Sequence, residues 1–233
     1  LTSSAIPFER PLALPERLAD WLREEILSAR LPPGARLVES DLVERCGVSR
    51  VPLREAFRIL SLEGLVDLST HRGATVKPLS GTELRELFGV RAAIEAFAAR
   101  AAARRPEAAG ALAAQIGRMR EIVAAGDLEG YGRLAAAFHE ALVAVGGNRL
   151  LAGMYAQIRT RLRRYQSAMA RVPQLPETSI AEHHAIVDAI AAGDAERAAA
   201  LATLHLESLV AQLPLPEASI TEPGPEPRRR GSV

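Results

Sequence analysis

The chain has 233 residues, 48% of them apolar, with 29 basic side chains against 28 acidic ones and a formal net charge of +1. That length has room for two small domains with a core in each, and the balanced charge excludes a protein that holds nucleic acid by bulk attraction, so any such signal has to be local. The single cysteine, Cys46, excludes an internal disulfide framework and is expected to pack as a small buried hydrophobe.

Residues 1–14 read as an N-terminal extension. Leu1 to Arg10 carries no basic region followed by an apolar run, and no uncharged apolar stretch reaches about 18 residues. A cytoplasmic protein with no membrane partner is expected.

The most informative stretch lies within residues 15–78. Leu42 and Cys46 fall four apart on one face of a short helix, and Gly47 follows where the chain must reverse, which predicts a turn at Cys46 to Val48. Ser49 is placed to cap a new helix, and Pro52 sits in its first turn, where a missing N–H does no damage. Along that helix Val51, Ala56, Ile59, Leu60 and Leu62 are expected as the buried stripe, and Arg50, Arg54 and Arg58 as a cationic one. Arginines near the N-terminus of a helix in the major groove can donate two parallel hydrogen bonds to guanine, so Arg50 and Arg54 are the candidate base readers and Arg58 a phosphate contact. Glu55 is placed to orient a guanidinium rather than cancel it.

After Gly64 two β-prone runs, Leu65–Leu68 and Ala74–Val76, surround Ser69 to Gly73, which predicts a hairpin with a cationic tip. This order describes a winged helix that reads double-stranded DNA, with Ser49, Arg50, Pro52, Arg54, Arg58, His71, Arg72 and Gly73 as its contact set. Gly73 would permit close approach. A generic helical hairpin with surface arginines would share the periodicity, though not the coincidence of turn glycine, serine cap, proline and hairpin.

Pro78 to Thr82 separates the wing from the next segment, and Ser80 with Glu83 makes a capping box. From there to Gln212 the pattern is helical throughout, with six helices expected near 82–104, 107–125, 128–145, 148–170, 177–192 and 194–212. The expected fold is mainly α: an N-terminal winged helix-turn-helix with a small β-hairpin wing, then an all-α antiparallel helical bundle over residues 79–212. The stretch 213–233 holds five prolines, carries three consecutive arginines near its end, and is expected to be disordered.

His139, His183, His184 and His205 lie on three of the bundle helices. Three imidazoles converging with an open position suit a divalent metal such as Zn or Ni, whereas singly each reads as a satisfied core residue. His184 falls about 100° from His183 and is placed outside any such set. Arg91, one turn before Glu95, reads either as a contact to an anionic ligand or as a surface ion pair. Arg161, Arg163 and Arg164 read as a solvated face.

Residues 15–78 resemble the DNA-binding domain of GntR-type bacterial transcription regulators through Gly47-Val48-Ser49-Arg50-Val51-Pro52-Leu53-Arg54-Glu55-Ala56 and Gly64-Leu65-Val66. Ser40 stands where some members carry a contacting arginine. Phe138 to Leu142, Gly147 to Leu150, Glu182 to Ile190 and Leu204 to Leu206 resemble the ligand-sensing FCD domain of the FadR subfamily. That resemblance implies metal ligands at His139, His183 and His205 and an effector site formed by these with Arg91. Its fourth ligand, an aspartate, is Ala135 here. The site implied is either a three-histidine metal centre completed by water or a cavity that binds its effector directly.

The reading this supports is a homodimeric transcription repressor, not an enzyme, on a palindromic operator, released by a small-molecule carboxylate effector. The alternatives are a metal-dependent hydrolase on a three-histidine site and a protein-interaction module. No Ser-His-Asp constellation stands out to favour the hydrolase.

Overall fold

A computed structural model describes residues 13–69, 73–165 and 175–213. Helix α1 (Leu14–Leu27) opens with Pro15 in its first turn and buries Leu18, Ala19, Leu22 and Ile26 along one face. Strand β1 (Arg36–Leu37) leads to α2 (Glu39–Cys46), which ends at Gly47 in the left-handed region, φ 63°. Helix α3 (Arg50–Leu62) follows, then β2 (Val66–Ser69) and β3 (Gly73–Val76). The predicted helix, tight turn, helix and hairpin are all present, and Cys46 is half-buried against the core of this head.

Two local readings change. The buried stripe of α3 is Leu53, Ala56, Phe57 and Leu60, while Val51 and Leu62 are 72% and 84% exposed and Ile59 only partly covered. Residues 53, 56, 57 and 60 follow the i, i+3, i+4, i+7 rule, and a residue two positions away lies about 200° around the helix, on the far side. The wing is also larger than a hairpin: β1 joins it to give an antiparallel sheet in the order β1-β3-β2, with Leu37 opposite Ala74. Gly73 has φ 87°, and a Cβ there would collide with the Leu37 carbonyl. Its close approach is therefore to β1 within the fold.

The second domain comprises α4 (Gly81–Ala102), α5 (Ala109–Ala124), α6 (Leu128–Val145), α7 (Arg149–Arg163), α8 (Leu175–Ala191) and α9 (Ala195–Gln212). A 3-10 turn at Pro106–Ala108 precedes α5, and α7 ends at Arg163 rather than near 170; residues 166–174 lie outside the described residues. Ser80 caps α4 by accepting from the Glu83 N–H at 3.3 Å, as the capping box predicts. The reciprocal half is replaced: the Ser80 N–H donates to the Tyr165 hydroxyl at 3.2 Å, and that hydroxyl donates to Glu83 at 3.1 Å. Leu112, Ile116 and Met119 of α5 meet Phe138 and Leu142 of α6 and Ile186 and Ile190 of α8 in the core. Leu213, expected at the start of the tail, is buried against the bundle, and 214–233 lie outside the described residues.

The end of α7 is not a solvated face. Arg164 is buried and donates to three backbone carbonyls of the head and its linker: Gly64 at 3.2 Å, Lys77 at 2.5 Å and Pro78 at 2.9 Å. Arg161 donates through Nε to the Glu63 carbonyl at 3.1 Å. The Glu63 and Gly64 carbonyls lie at the C-terminal end of α3, where a helix leaves acceptors without partners and favours cations. Gly64 makes this docking possible, since it holds φ 73° and a Cβ there would lie 2.5 Å from Arg161 Nε. Gly64→Ala is accordingly expected to lower stability by about 1–2 kcal/mol from the left-handed backbone alone and to speed proteolysis of the 77–81 linker. Unchanged urea and proteolysis profiles would contradict the docking described.

Candidate DNA-reading face and histidine centre

Ser49 occupies the N-cap of α3 in an extended conformation, φ −82°, but its side chain makes no capping bond. Pro52 falls in the first turn and is half-buried. Arg50, Arg54 and Arg58 are all exposed, as expected. Their partners differ. Among the described residues Arg50 makes no ion pair, while Arg58 pairs with Glu55 at 3.1 Å. Arg54 is gripped by Glu39 at the start of α2, with Nε–Oε1 2.9 Å and Nη2–Oε2 3.0 Å, a two-point contact that fixes the plane of its guanidinium. Glu55 thus orients Arg58, and Glu39, which the sequence did not single out, orients Arg54. His71 and Arg72 lie outside the described residues.

In the second domain α6, α8 and α9 bring His139, His183 and His205 together, all three buried. His183 Nε2 lies 3.2 Å from both His139 Nε2 and His205 Nε2. The outer nitrogens are held by carboxylates: His139 Nδ1 is 2.8 Å from Glu95 Oε2, and His205 Nδ1 is 2.7 Å from Glu182 Oε2. A carboxylate accepts from Nδ1–H, so the Nε2 lone pairs of these two rings face inward. His183 stacks on Phe138 with centroids 4.3 Å apart, and its buried Nδ1 has no hydrogen-bond partner among the described residues. His184 is exposed and paired with Asp188 at 2.9 Å, outside the cluster as predicted.

This donor set fits a divalent metal. Two imidazole nitrogens at about 2.0–2.1 Å from a tetrahedral ion stand roughly 3.4 Å apart, close to the 3.2 Å separations here. Without an ion, a proton on His183 Nε2 can serve only one of the two lone pairs that face it. Ala135 sits one turn before His139 and lines the adjoining cavity, so that among the described residues no carboxylate closes that side.

Arg91 is not a surface residue. It is buried and bonded to Glu95 at 2.6 Å, which makes a chain Arg91–Glu95–His139 through the interior. Burial disfavours the Glu95 carboxylate, but the charges of Arg91 and His139 outweigh it and hold the group down at about 2. Burial, reinforced by Arg91, pushes His139 down to about 4. Burial and the neighbouring imidazoles also push His183 well below the ordinary imidazole range, so these two rings are favoured in their neutral form.

A cavity of about 100 Å³ opens beside this centre. His139, His205 and Arg91 reach it at one side; Tyr131, Leu162, Leu175 and Leu209 supply apolar wall; Arg159 and Arg163 of α7 also line it. The cavity thus combines apolar surface with a few convergent polar groups, the usual make-up of a small-molecule site.

Residues 14–76 match the family model for bacterial regulatory proteins of the gntR family, and residues 86–208 match the FCD domain. The chain is 32% identical over 196 residues to a probable D-xylose utilization operon transcriptional repressor of Paenarthrobacter nicotinovorans, covering 82% of this chain and 84% of that protein. It is 29% identical to an uncharacterized HTH-type transcriptional regulator of Streptomyces ambofaciens, over 91% of this chain and 92% of that one. Among solved structures, a putative transcriptional regulator GntR from Rhodococcus sp. RHA1 superposes with a TM-score of 0.68 at 28% identity, covering 85% of this chain and 96% of that chain. No helix among the described residues is long and apolar enough to cross a membrane.

Proposed function

The chain belongs to the GntR family of DNA-binding transcription regulators, with an FCD domain behind its reading head, and we propose that it is a homodimeric repressor of a palindromic operator, released by a small carboxylate metabolite. Two copies related by a two-fold axis would present two α3 helices to successive major grooves, mirrored in the half-sites. The repressor sense draws on the name of the Paenarthrobacter relative. Arg50 and Arg54 read bases, with Ser49 and Pro52 setting the helix entry; Arg58 meets phosphate, and His71 and Arg72 form the wing's contact, while Gly73 serves the packing of β3 against β1. Glu39 keeps Arg54 in a fixed plane. Arg50→Ala is expected to cost about 1–3 kcal/mol at the operator and to relax base preference there. Equal loss on operator and random DNA, measured by fluorescence anisotropy, would demote it to a phosphate contact.

The observation that carries the effector reading is the convergence of three buried imidazoles, two of which, His139 and His205, line a cavity that has no carboxylate in its wall among the described residues. His139, His183 and His205 would hold a divalent metal such as Zn or Ni. When bound, such an ion supplies a Lewis-acid anchor for a carboxylate oxygen. The Ala135 methyl leaves that oxygen room. Arg91 is neutralised by Glu95 and serves the site mainly by holding Glu95 against His139. A saturable thermal shift of the metal-loaded protein with short carboxylates, accompanied by loss of operator binding, is the expected result. Turnover of a substrate panel, abolished in His139→Ala, would return the hydrolase reading.

A further inference from the structure

Arg163 belongs to two places at once. It lines the cavity, and its guanidinium faces Glu24 on α1 of the reading head at 3.3 and 3.4 Å. Among the described residues Glu24 is its only ion-pair partner. The other cavity cations are already engaged: Arg91 by buried Glu95, and Arg159 by Glu140.

Position along α7 separates Arg163 from the histidines. Tyr155 lies at the histidine end, its hydroxyl beside Arg91 and Glu95. Arg163 comes eight residues later, which is about 12 Å along a helix. Apolar Leu162, Leu175 and Leu209 line the cavity with it. A cavity of about 100 Å³ admits roughly seven to ten non-hydrogen atoms, taking about 10–15 Å³ for each water-sized atom. A short, flexible acid with a second anionic group matches that volume, and the long Arg163 side chain, leaning back toward the N-terminus of α7 as helical side chains do, shortens the gap it has to span.

We propose that the effector is a dianionic acid of about four to six carbons, whose distal carboxylate takes Arg163 away from Glu24. This rests on the carboxylate-effector reading above. The Arg163–Glu24 pair is long and half-exposed, 40% and 59% for the two side chains, so it contributes little on its own and is easily exchanged. A carboxylate in the less solvated cavity offers the guanidinium a two-point contact instead. The exchange removes a tie between α7 and α1, while Arg161 and Arg164 remain on the α3 carbonyls. Ligand binding thus alters one specific contact between the sensing domain and the head rather than undocking it.

The test uses the full chain loaded with Zn²⁺, titrated calorimetrically with succinate, glutarate and adipate against butyrate, pentanoate and hexanoate. At least one dicarboxylate should bind ten-fold or more tighter than the monocarboxylate of equal length. Arg163→Gln should erase that preference, bringing dicarboxylate affinity down to that of the monocarboxylate of equal length. Glu24→Gln, which removes the competitor, should tighten dicarboxylate binding about two- to five-fold, as expected for loss of an exposed pair. Monocarboxylates and dicarboxylates binding equally, with neither variant changing the ratio, overturns this inference and leaves the carboxylate reading intact. No binding by either series overturns both.

Discussion

Glu95→Ala is expected to cost about 3–5 kcal/mol of unfolding free energy, the range for removing one partner of a buried ion pair. The substitution strands Arg91, which is 6% exposed and has Glu95 as its carboxylate partner, and also removes the acceptor from His139 Nδ1. The electrostatics of the site change as well. With the carboxylate gone, the Arg91 charge acts on His139 without compensation, so the imidazole loses part of its basicity as a ligand. Glu95→Gln keeps the shape and one hydrogen bond and should cost less. Urea titrations with unchanged slope read the loss directly. A change below about 1 kcal/mol, within the range of ordinary surface substitutions, would mean that Arg91 finds water and that the interior chain is less dry than its burial implies.

The other large effect is on metal content. Purified wild-type protein should carry close to one divalent ion per chain, and His183→Ala should carry background, because His183 Nε2 is the nitrogen that touches both of the others. Glu182→Gln tests the outer layer. It leaves all three imidazoles in place but weakens the acceptor that fixes His205 Nδ1 at 2.7 Å, for which a loss of about 10–100-fold in metal affinity is expected. Phe138, stacked on His183, distinguishes packing from ligation. Phe138→Leu should disturb stability more than metal stoichiometry. Equal, background metal in wild type and His183→Ala would leave the cluster as three core histidines packed without an ion.

The helix-turn-helix was legible because its signals are local: Gly47 with φ 63°, Ser49 and Pro52 at the start of α3, and arginines at i, i+4, i+8 all lie within a few turns. The Ser80–Glu83 cap and the coarse bundle were legible for the same reason. The histidine centre was half-legible. Three imidazoles on three helices suggested convergence, but the outer carboxylates Glu95 and Glu182 become partners only through the packing of α4 against α6 and of α8 against α9. Strand β1 has two residues, too few for any alternation to show. The stripe of α3 was misphased because Val51 and Leu62 are apolar yet exposed, and apolarity alone does not fix the phase of a helix. Arg161 and Arg164 were misread for a deeper reason. Charge near a helix end predicts solvent, whereas the acceptors that bury them are backbone carbonyls about a hundred residues earlier, to which side-chain patterns are blind. Glu39 was missed likewise, since its pairing with Arg54 depends on the angle between α2 and α3.

In the function proposed above, Arg50 and its neighbours read a specific operator and the histidine cavity governs this reading. Sheared genomic DNA from the source organism, retained on the full chain and sequenced, tests it most directly when run with and without a carboxylate that shifts the melting temperature. A common palindrome should emerge among the retained fragments, lost with Arg50→Ala and depleted by the carboxylate. Fragments with no shared sequence, retained equally by wild type and Arg50→Ala, would contradict it.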